Sequence, residues 1–390
     1  MYEELKEKFK KQFNKEPDFI ASAPGRTELS GNHTDHQHGC VIAGAVNLET
    51  VGAVKENETM TANILSEGYP LFSVDLSQLE PNPEEYGKPS SLVRGVASKM
   101  NELGDEIKGF DAYITSEVLS GSGLSSSAAF EVLIGVILNH IVKGNHDAPE
   151  IARIGQYAEN VYFGKPCGLM DQMASSVGNI IAIDFKDSDN AIITPIHFDF
   201  NQCGYSLCII DSGASHEDLT DEYAAITKEL KDVCNVFGKD VLREIPEEEF
   251  YSRIKEVRAS TSDRSVLRAI HIYEENKRVA KQIEALNNND FEGFLDIVKE
   301  SGLSSWCYLQ NVIPSGNKQH QDVAFALALA KKYLDGHGAC RVHGGGFAGT
   351  IQAFVPNDMV EEFKQQINNV LGEGKCHIMK IRAEGGVIRE

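Results

Sequence analysis

The sequence predicts a mixed α+β protein in two lobes, residues 1–200 and 201–390. Three observations predict it. Strand-like and helix-like segments are mixed without the regular βα rhythm of a parallel doubly wound sheet. Apolar, β-branched runs are frequent before residue 211, whereas long helical stretches follow it. The 390 residues also exceed what one core of about 150 residues needs.

In chain order, Met1, Leu5, Phe9 and Phe13 recur every four residues and mark an opening helix with one apolar stripe. Phe19 to Ala23 reads as a short strand halted by Pro24-Gly25. Cys40 to Val54 is apolar and β-branched, and Asn63 to Leu76 offers two more strands about Glu67-Gly68. The stretch Glu80 to Ser91, with three prolines and two serines, reads as a surface loop. Phe110 to Ile114 is a strand feeding a glycine-serine loop, with helices at Ser125 to Val142 and Ala148 to Phe163. A second β-rich patch covers Asn179 to Asp211. Helices follow at Asp218 to Phe237, Glu247 to Glu256 and Ser265 to Leu286. Strands at Ala339 to Val342 and Thr350 to Val355 flank a glycine cluster, before a helix and a last strand near Ile378.

Composition narrows the function classes. With 37 basic against 58 acidic residues the formal charge is −21, which argues against broad binding to nucleic acid or anionic membranes. No window approaches about 18 uninterrupted apolar residues, so no membrane span is expected. The opening segment is charged and amphipathic, without the apolar core of a secretory signal. Eight cysteines are scattered and none forms a C-x-x-C pair, which fits reduced thiols in the cytoplasm.

Four segments carry chemistry. Residues 23–39, APGRTELSGNHTDHQHG, pack a lone arginine, three histidines and an aspartate between glycines. His33, Asp35, His36 and His38 fit no standard zinc spacing, whereas converging donors and acceptors suit a sugar or other polyol. Residues 119–130, LSGSGLSSSAAF, lie between a strand and a helix. Glycines there allow close backbone approach, and free N–H groups at a helix start attract phosphate. The run is neither a Walker P-loop nor a G-x-G-x-x-G fingerprint. In residues 164–178, GKPCGLMDQMASSVG, Asp171 stands among small and apolar residues. It reads as a helix cap, a general base or an arginine's partner. Glu159, in the preceding helix, can reach a cation. The fourth segment, Gly336 to Gly349, holds His343 and three consecutive glycines.

In this order and spacing the segments resemble the GHMP small-molecule kinases and, within them, the galactokinases. Residues 25–39 resemble the signature G-R-x-N-L-I-G-E-H-T-D-Y-N-x-G, residues 121–129 the G-L-S-S-S-A phosphate loop, and residues 339–349 the third, glycine-rich motif. Residues 166–172, PCGLMDQ, are similar to the stretch around the catalytic aspartate, and His216 and Tyr223 stand in the His-x6-Tyr spacing of a sugar-contacting segment.

The resemblance implies a ribosomal-S5-like N-terminal lobe, a ferredoxin-like C-terminal lobe and ATP-dependent phosphorylation of a sugar C1 hydroxyl. It implies that Asp171 accepts or orients the hydroxyl proton and that Arg26 stabilises the nucleophile and the transferring phosphoryl group. Gly121, Ser122, Gly123, Leu124, Ser125, Ser126, Ser127 and Ala128 would wrap the ATP phosphates. Ser127 (or Ser126) and Glu159 would stand near Mg2+, and Asn32, His33, Asp35, Gly168 and Tyr223 would hold the sugar. The expected state is a monomer whose partners are a sugar and ATP.

Five signature positions differ. Glu28, Ser30, Asn32, His36 and Gln37 stand where the pattern has Asn, Ile, Glu, Tyr and Asn. In the family that glutamate accepts a bond from the C6 hydroxyl of galactose. An amide at position 32 keeps an acceptor but loses the charge, and it would not repel a C6 carboxylate. Galactose remains the expected substrate, with a galacturonate-type pyranose as the alternative. A non-catalytic sugar sensor and a mevalonate or homoserine kinase are the competing classes. The complete serine-rich run with Arg26, Asp171 and Glu159 opposes the first; the His-Thr-Asp segment and the setting of Asp171 oppose the second.

Overall fold

The structure, a computed structural model, describes residues 2–118, 123–165, 167–187, 190–214 and 219–389. Two sheets organise it. The first runs β12-β1-β2-β5-β3-β4, with β6 on β2 and β7 on β6. Its strands are β1 (Phe19–Ser30), β2 (Cys40–Glu56), β3 (Thr61–Ser66), β4 (Phe72–Asp75), β5 (Phe110–Ser116), β6 (Ile180–Asp184), β7 (Ile192–Pro195) and β12 (Val387–Arg389). The 17-residue β2 pairs β6 through residues 40–44 and β5 through residues 50–56. Helix α1 (Tyr2–Phe13) sets Leu5 and Phe9 of the expected stripe against Ile20, Val51 and Ala53.

The expected end of the first strand at Pro24-Gly25 is corrected. β1 continues to Ser30, because Pro24 sits at a register shift against β2, where the ladder asks less of its missing N–H. The Pro24 carbonyl is instead bonded by Ser175 Oγ at 2.6 Å. The irregularity carries the polar 26–30 stretch into the interior while leaving it strand-bound.

Helices α2 (Pro89–Glu102), α3 (Ser126–Ile141), α4 (Ala148–Tyr157) and α5 (Met170–Val177) belong to this lobe. Helix α3 buries Val132, Leu133, Ile134, Ile137 and Leu138 in the main core. Helix α2 begins inside the expected loop and was not anticipated. The helix expected over 148–163 changes at Ala158 into a π-helical turn, Ala158–Phe163.

The second sheet runs β11-β8-β10-β9, from β8 (Tyr205–Asp211), β9 (Ala339–Val342), β10 (Thr350–Pro356) and β11 (Cys376–Met379). Counted within the sheet, that order is 4-1-3-2. With helices between the first and second and the third and fourth strands, this is the ferredoxin-like βαββαβ pattern that the family resemblance implied. Along β8, Leu207 and Ile209 face one core and Cys208 and Ile210 the other, the period-two signature of a sheet covered on both faces.

The intervening helices are α6 (Thr220–Val236), α7 (Glu247–Ser252), α8 (Ile254–Ser260), α9 (Asp263–Asn287), α10 (Phe291–Ser304) and α11 (Asp322–Leu334), with α12 (Val360–Leu371) before β11. α10 and α11 were not anticipated. The expected helix over 247–256 is broken at Arg253. Strands β1–β7 precede residue 200 and β8–β11 follow it, but β12 returns to pair Ile20, Ala21 and Ser22 of β1. No described helix is long and apolar enough to cross a membrane.

Candidate active site

Three segments far apart in sequence converge at one point. Arg26 enters on β1, its backbone N–H bonded to the Leu124 carbonyl at 3.0 Å, which ties the strand to the serine-rich turn. Asp171 enters as the second residue of α5. Arg26 Nε and Nη2 donate to Asp171 Oδ1 and Oδ2 at 2.7 and 2.6 Å, a bidentate fork, and Nη1 donates to the Gly123 carbonyl. Ser125 Oγ donates to Asp171 Oδ2 at 2.7 Å.

Burial alone would raise the Asp171 carboxyl. The Arg26 charge and bonds, with the Ser125 hydroxyl, outweigh it and hold the group below the usual carboxylate range. Asp171 is therefore ionised at neutral pH. Its side chain keeps 30 % of its surface open, against 9 % for Arg26.

The turn before α3 supplies the second feature. Ser125 has a left-handed backbone, φ 58°, and stands at the N-cap position, yet its side chain makes no cap bond. Its hydroxyl is turned to Asp171 instead. Among the described residues no side chain caps the first-turn N–H groups of α3, which is the arrangement that attracts an anion. Gly123, Leu124, Ser125, Ser126, Ser127 and Ala128 are assembled here. Gly121 and Ser122 lie outside the described residues.

Behind the turn is a buried oxygen-rich cluster. Ser127 Oγ is 3.4 Å from Glu159 Oε1, and Lys165 Nζ is 3.3 Å from the same oxygen. Gln172 Nε2 donates to both Glu159 Oε2 and Glu131 Oε2 at 2.8 Å, one amide joining two carboxyl groups. Burial, then the nearby Glu159 charge, pushes Glu131 well above the usual range. Glu131 Oε1 and Gln172 Oε1 are buried without a partner. Sequence reasoning missed Glu131. Its signal was a lone carboxyl in an apolar helical run, four residues after Ser127 and so on the same face.

The 31–39 loop forms the other wall. A Cβ on Gly168 would lie 2.6 Å from Asp35 Oδ2, so glycine alone lets the 168 backbone close on that carboxylate. His33 is held in a directed chain. Gln37 Nε2 donates to His36 Nδ1 (3.2 Å), which leaves His36 Nε2–H to donate to His33 Nδ1 (3.2 Å) and His33 Nε2–H to the Gly345 carbonyl (3.0 Å). Burial lowers His36 to about 4, in keeping with a neutral ring there. Tyr223, on α6, donates its hydroxyl to the Gly346 carbonyl at 2.7 Å, and a Cβ on Gly345 would strike its ring at 2.8 Å. The glycine run is thus the surface on which His33 and Tyr223 rest. His216 lies outside the described residues.

The expected sugar contact of Asn32 is corrected. Its side chain is fully buried and its amide is taken up by the protein. Nδ2 donates to the Gly344 carbonyl (2.7 Å) and Glu28 Oε1 (3.2 Å), while Oδ1 accepts from Asn311 Nδ2 (2.8 Å) and Ser305 Oγ (3.2 Å). Glu28 in turn receives Arg341 Nη2 at 2.7 Å. Relative to the resembled signature, the amide and carboxylate at 28 and 32 have exchanged places, and the carboxylate now faces a buried arginine rather than the cleft. His343 lies beside them, accepting from Thr27 Oγ1 (3.1 Å) and the Glu28 N–H (3.3 Å). Burial and the charges of Arg26 and Arg341 keep it neutral, far below the usual imidazole range.

Comparison with known proteins agrees with this geometry. Residues 91–179 match the GHMP kinases N terminal domain, and residues 7–56 match the galactokinase galactose-binding signature. A galactokinase of Glaesserella parasuis is 32 % identical over 88 % of this chain and 87 % of its own length. The chain belongs to the galactokinase family. A galactokinase of Actinobacillus pleuropneumoniae is 34 % identical over the same shares of the two chains. Among solved structures, Lactococcus lactis galactokinase complexed with galactose covers 99 % of both chains at a TM-score of 0.83 and 26 % identity. A mevalonate kinase, at a TM-score of 0.67 and 15 % identity, covers 94 % of this chain and shares the fold. This galactokinase-family chain departs from the signature where the structure has its buried Glu28–Asn32 contact.

Proposed function

We propose that the protein transfers the γ-phosphoryl group of ATP to the C1 hydroxyl of galactose, giving galactose 1-phosphate and ADP. The observation that carries the reading is the Arg26–Asp171 fork beside the uncapped start of α3. An ionised acceptor, a cation and a phosphate cradle meet there, which is what in-line phosphoryl transfer asks of a protein.

Asp171 accepts a hydrogen bond from the C1 hydroxyl and aligns it. Held low by Arg26, it is a weak base. A loose transition state needs little prior deprotonation, so Asp171 takes the proton as the oxygen–phosphorus bond forms. Arg26 balances charge on the nucleophile and the transferring group. The first-turn N–H groups at residues 126–128 hold phosphate oxygens. His33, Asp35, Gly168 and Tyr223 bound the sugar side.

Ser127 Oγ and Glu159, with orphaned oxygens nearby, form a hard donor set that fits Mg2+, which keeps waters and phosphates as its other ligands. An ion held by these oxygens would supply neutralisation of the phosphate charge. Among the described residues no group of three or more His, Cys, Asp or Glu side chains could hold a metal ion by itself, in keeping with a cation brought by the nucleotide.

A pyranose with a C6 carboxylate is the second reading, favoured by the absence of a carboxylate at position 32. Coupled ADP release across hexoses, pentoses and uronates at fixed Mg-ATP tests both. Galactose is expected to lead the panel; turnover of another C1 hydroxyl without galactose overturns the assignment.

A further inference from the structure

A cavity of about 490 Å3 lies outside the reactive cluster, between the end of α10, α11 and the strand entering β9. That volume is of the order of a small-molecule site. Its walls include Leu303, Trp306, Leu327 and Leu334, and Lys299 and Lys331 also line it. Leu303 and Trp306 are exposed large apolar side chains. Lys299 is paired with Asp296 at 2.9 Å, while no ion pair or hydrogen bond engages Lys331 among the described residues. An apolar hollow with two ammonium groups is unusual on a chain of charge −21. Its charge complement is an anion with an apolar body.

The cavity is mechanically close to the sugar loop. Trp306 rides on the π-helical turn Ser305–Leu309, and the neighbouring Ser305 hydroxyl bonds Asn32 Oδ1 at 3.2 Å. One residue before, Ser304 Oγ meets His271 Nδ1 at 2.9 Å, and His271 Nε2 bonds the Asn32 carbonyl at 3.0 Å. Arg341, which also lines the cavity, reaches Glu28 through its buried Nη2 and so the same amide.

We propose that this cavity is an effector site for a small amphipathic anion, its apolar body against Trp306 and Leu303 and its charged head toward Lys299 and Lys331. Occupancy displaces the turn that carries Ser305, and the effect reaches Asn32. The effector role rests on the galactokinase reading; the binding itself does not.

Trp306 is the only tryptophan, so its emission reports the cavity directly. Decanoate serves as the probe and 1-decanol as its neutral counterpart. Decanoate is expected to shift the emission to the blue and saturate with a Kd of about 0.1–1 mM. The doubly charge-reversed K299E/K331E protein, altered only at exposed positions, is expected to bind decanoate at least about tenfold more weakly and decanol unchanged. Saturating decanoate is expected to change the galactose KM of the unaltered protein by about twofold or more, and not that of the double variant. No emission shift, or equal binding of both probes, overturns the site. Binding with an unmoved KM overturns its effector role. Because the fluorescence arm needs no turnover, a protein inactive on galactose still shows whether the cavity binds the anion.

Discussion

Arg26 and Glu28, two residues apart on β1, each take part in an arginine–carboxylate pair, and the two pairs differ in one respect. Asp171 of the first keeps 30 % of its side chain open beside the phosphate turn, whereas Arg341 and Glu28 of the second are 0 % and 6 % exposed. All three nitrogens of Arg26 are engaged, but Nε and Nη1 of Arg341 are buried without a partner. Pairing alone therefore does not make a catalytic group. The open pair has room for a third participant; the sealed one fixes the loop that carries Asn32, at a cost in unmatched polar atoms.

The largest expected effect separates the pairs at once. Asp171→Ala is expected to lower kcat by about 10³-fold or more while nucleotide affinity, read by calorimetry, stays near that of the parent. Near-normal kcat would place Asp171 with the sealed pair. Arg341→Met leaves Glu28 buried and unpaired, and a stability loss of about 3–5 kcal/mol is expected in urea titration. The double change E28Q/R341M should recover part of that loss, since neither charge is then orphaned.

A smaller effect tests the exchange of amide and carboxylate. Asn32→Glu sets a carboxylate beside Glu28 and removes the donor to Gly344, so about 1–3 kcal/mol of stability should be lost. Restoring the signature order at both positions, E28N/N32E, should relieve the repulsion. The pair also predicts a gain in galactose kcat/KM for the double variant over the single one, through the loop that the buried 28–32 contact supports; equal values would detach that contact from the sugar loop.

The mildest test is pH. His271 is fully buried and its pKa is lowered from 6.5 to about 4, chiefly by burial. The folded protein then binds fewer protons than the unfolded chain between those values. Stability is full above about 6.5 and declines as pH falls toward 4. Chemical denaturation across that window should show the decline, and His271→Gln should reduce its slope, leaving the share that the buried His36 and His343 contribute in the same direction.

Much of this was legible in the sequence, unevenly. Arg26, Asp171 and the serine run were found because each is chemically out of place: a cation after Pro-Gly, an acid among small residues, hydroxyls opening an apolar helix. Strands β2, β5, β9 and β10 announced themselves by β-branched runs near their true bounds. The burial of Asn32 was not legible because its partners, Asn311, Ser305 and Gly344, lie roughly 270 to 310 positions away, and no local pattern encodes such satisfaction. Helix α10 escaped although Asp290 caps Gly293 N at 2.9 Å, since Gly293 and Gly302 weaken its helical texture. The three residues of β12 form no periodic signal; only the waiting edge of β1 makes them a strand.

That last strand has a mechanical meaning. The chain passes from the first sheet to the second near residue 200 and comes back after Met379, where the Asn47 N–H meets the Lys380 carbonyl and the Arg382 N–H meets the Ala45 carbonyl. Two covalent crossings restrict relative rotation of the lobes far more than one tether would, as two pins confine a door. Any relative swing of the two sheets must turn about the line through these crossings, and neither crossing can be cut without freeing the other axes.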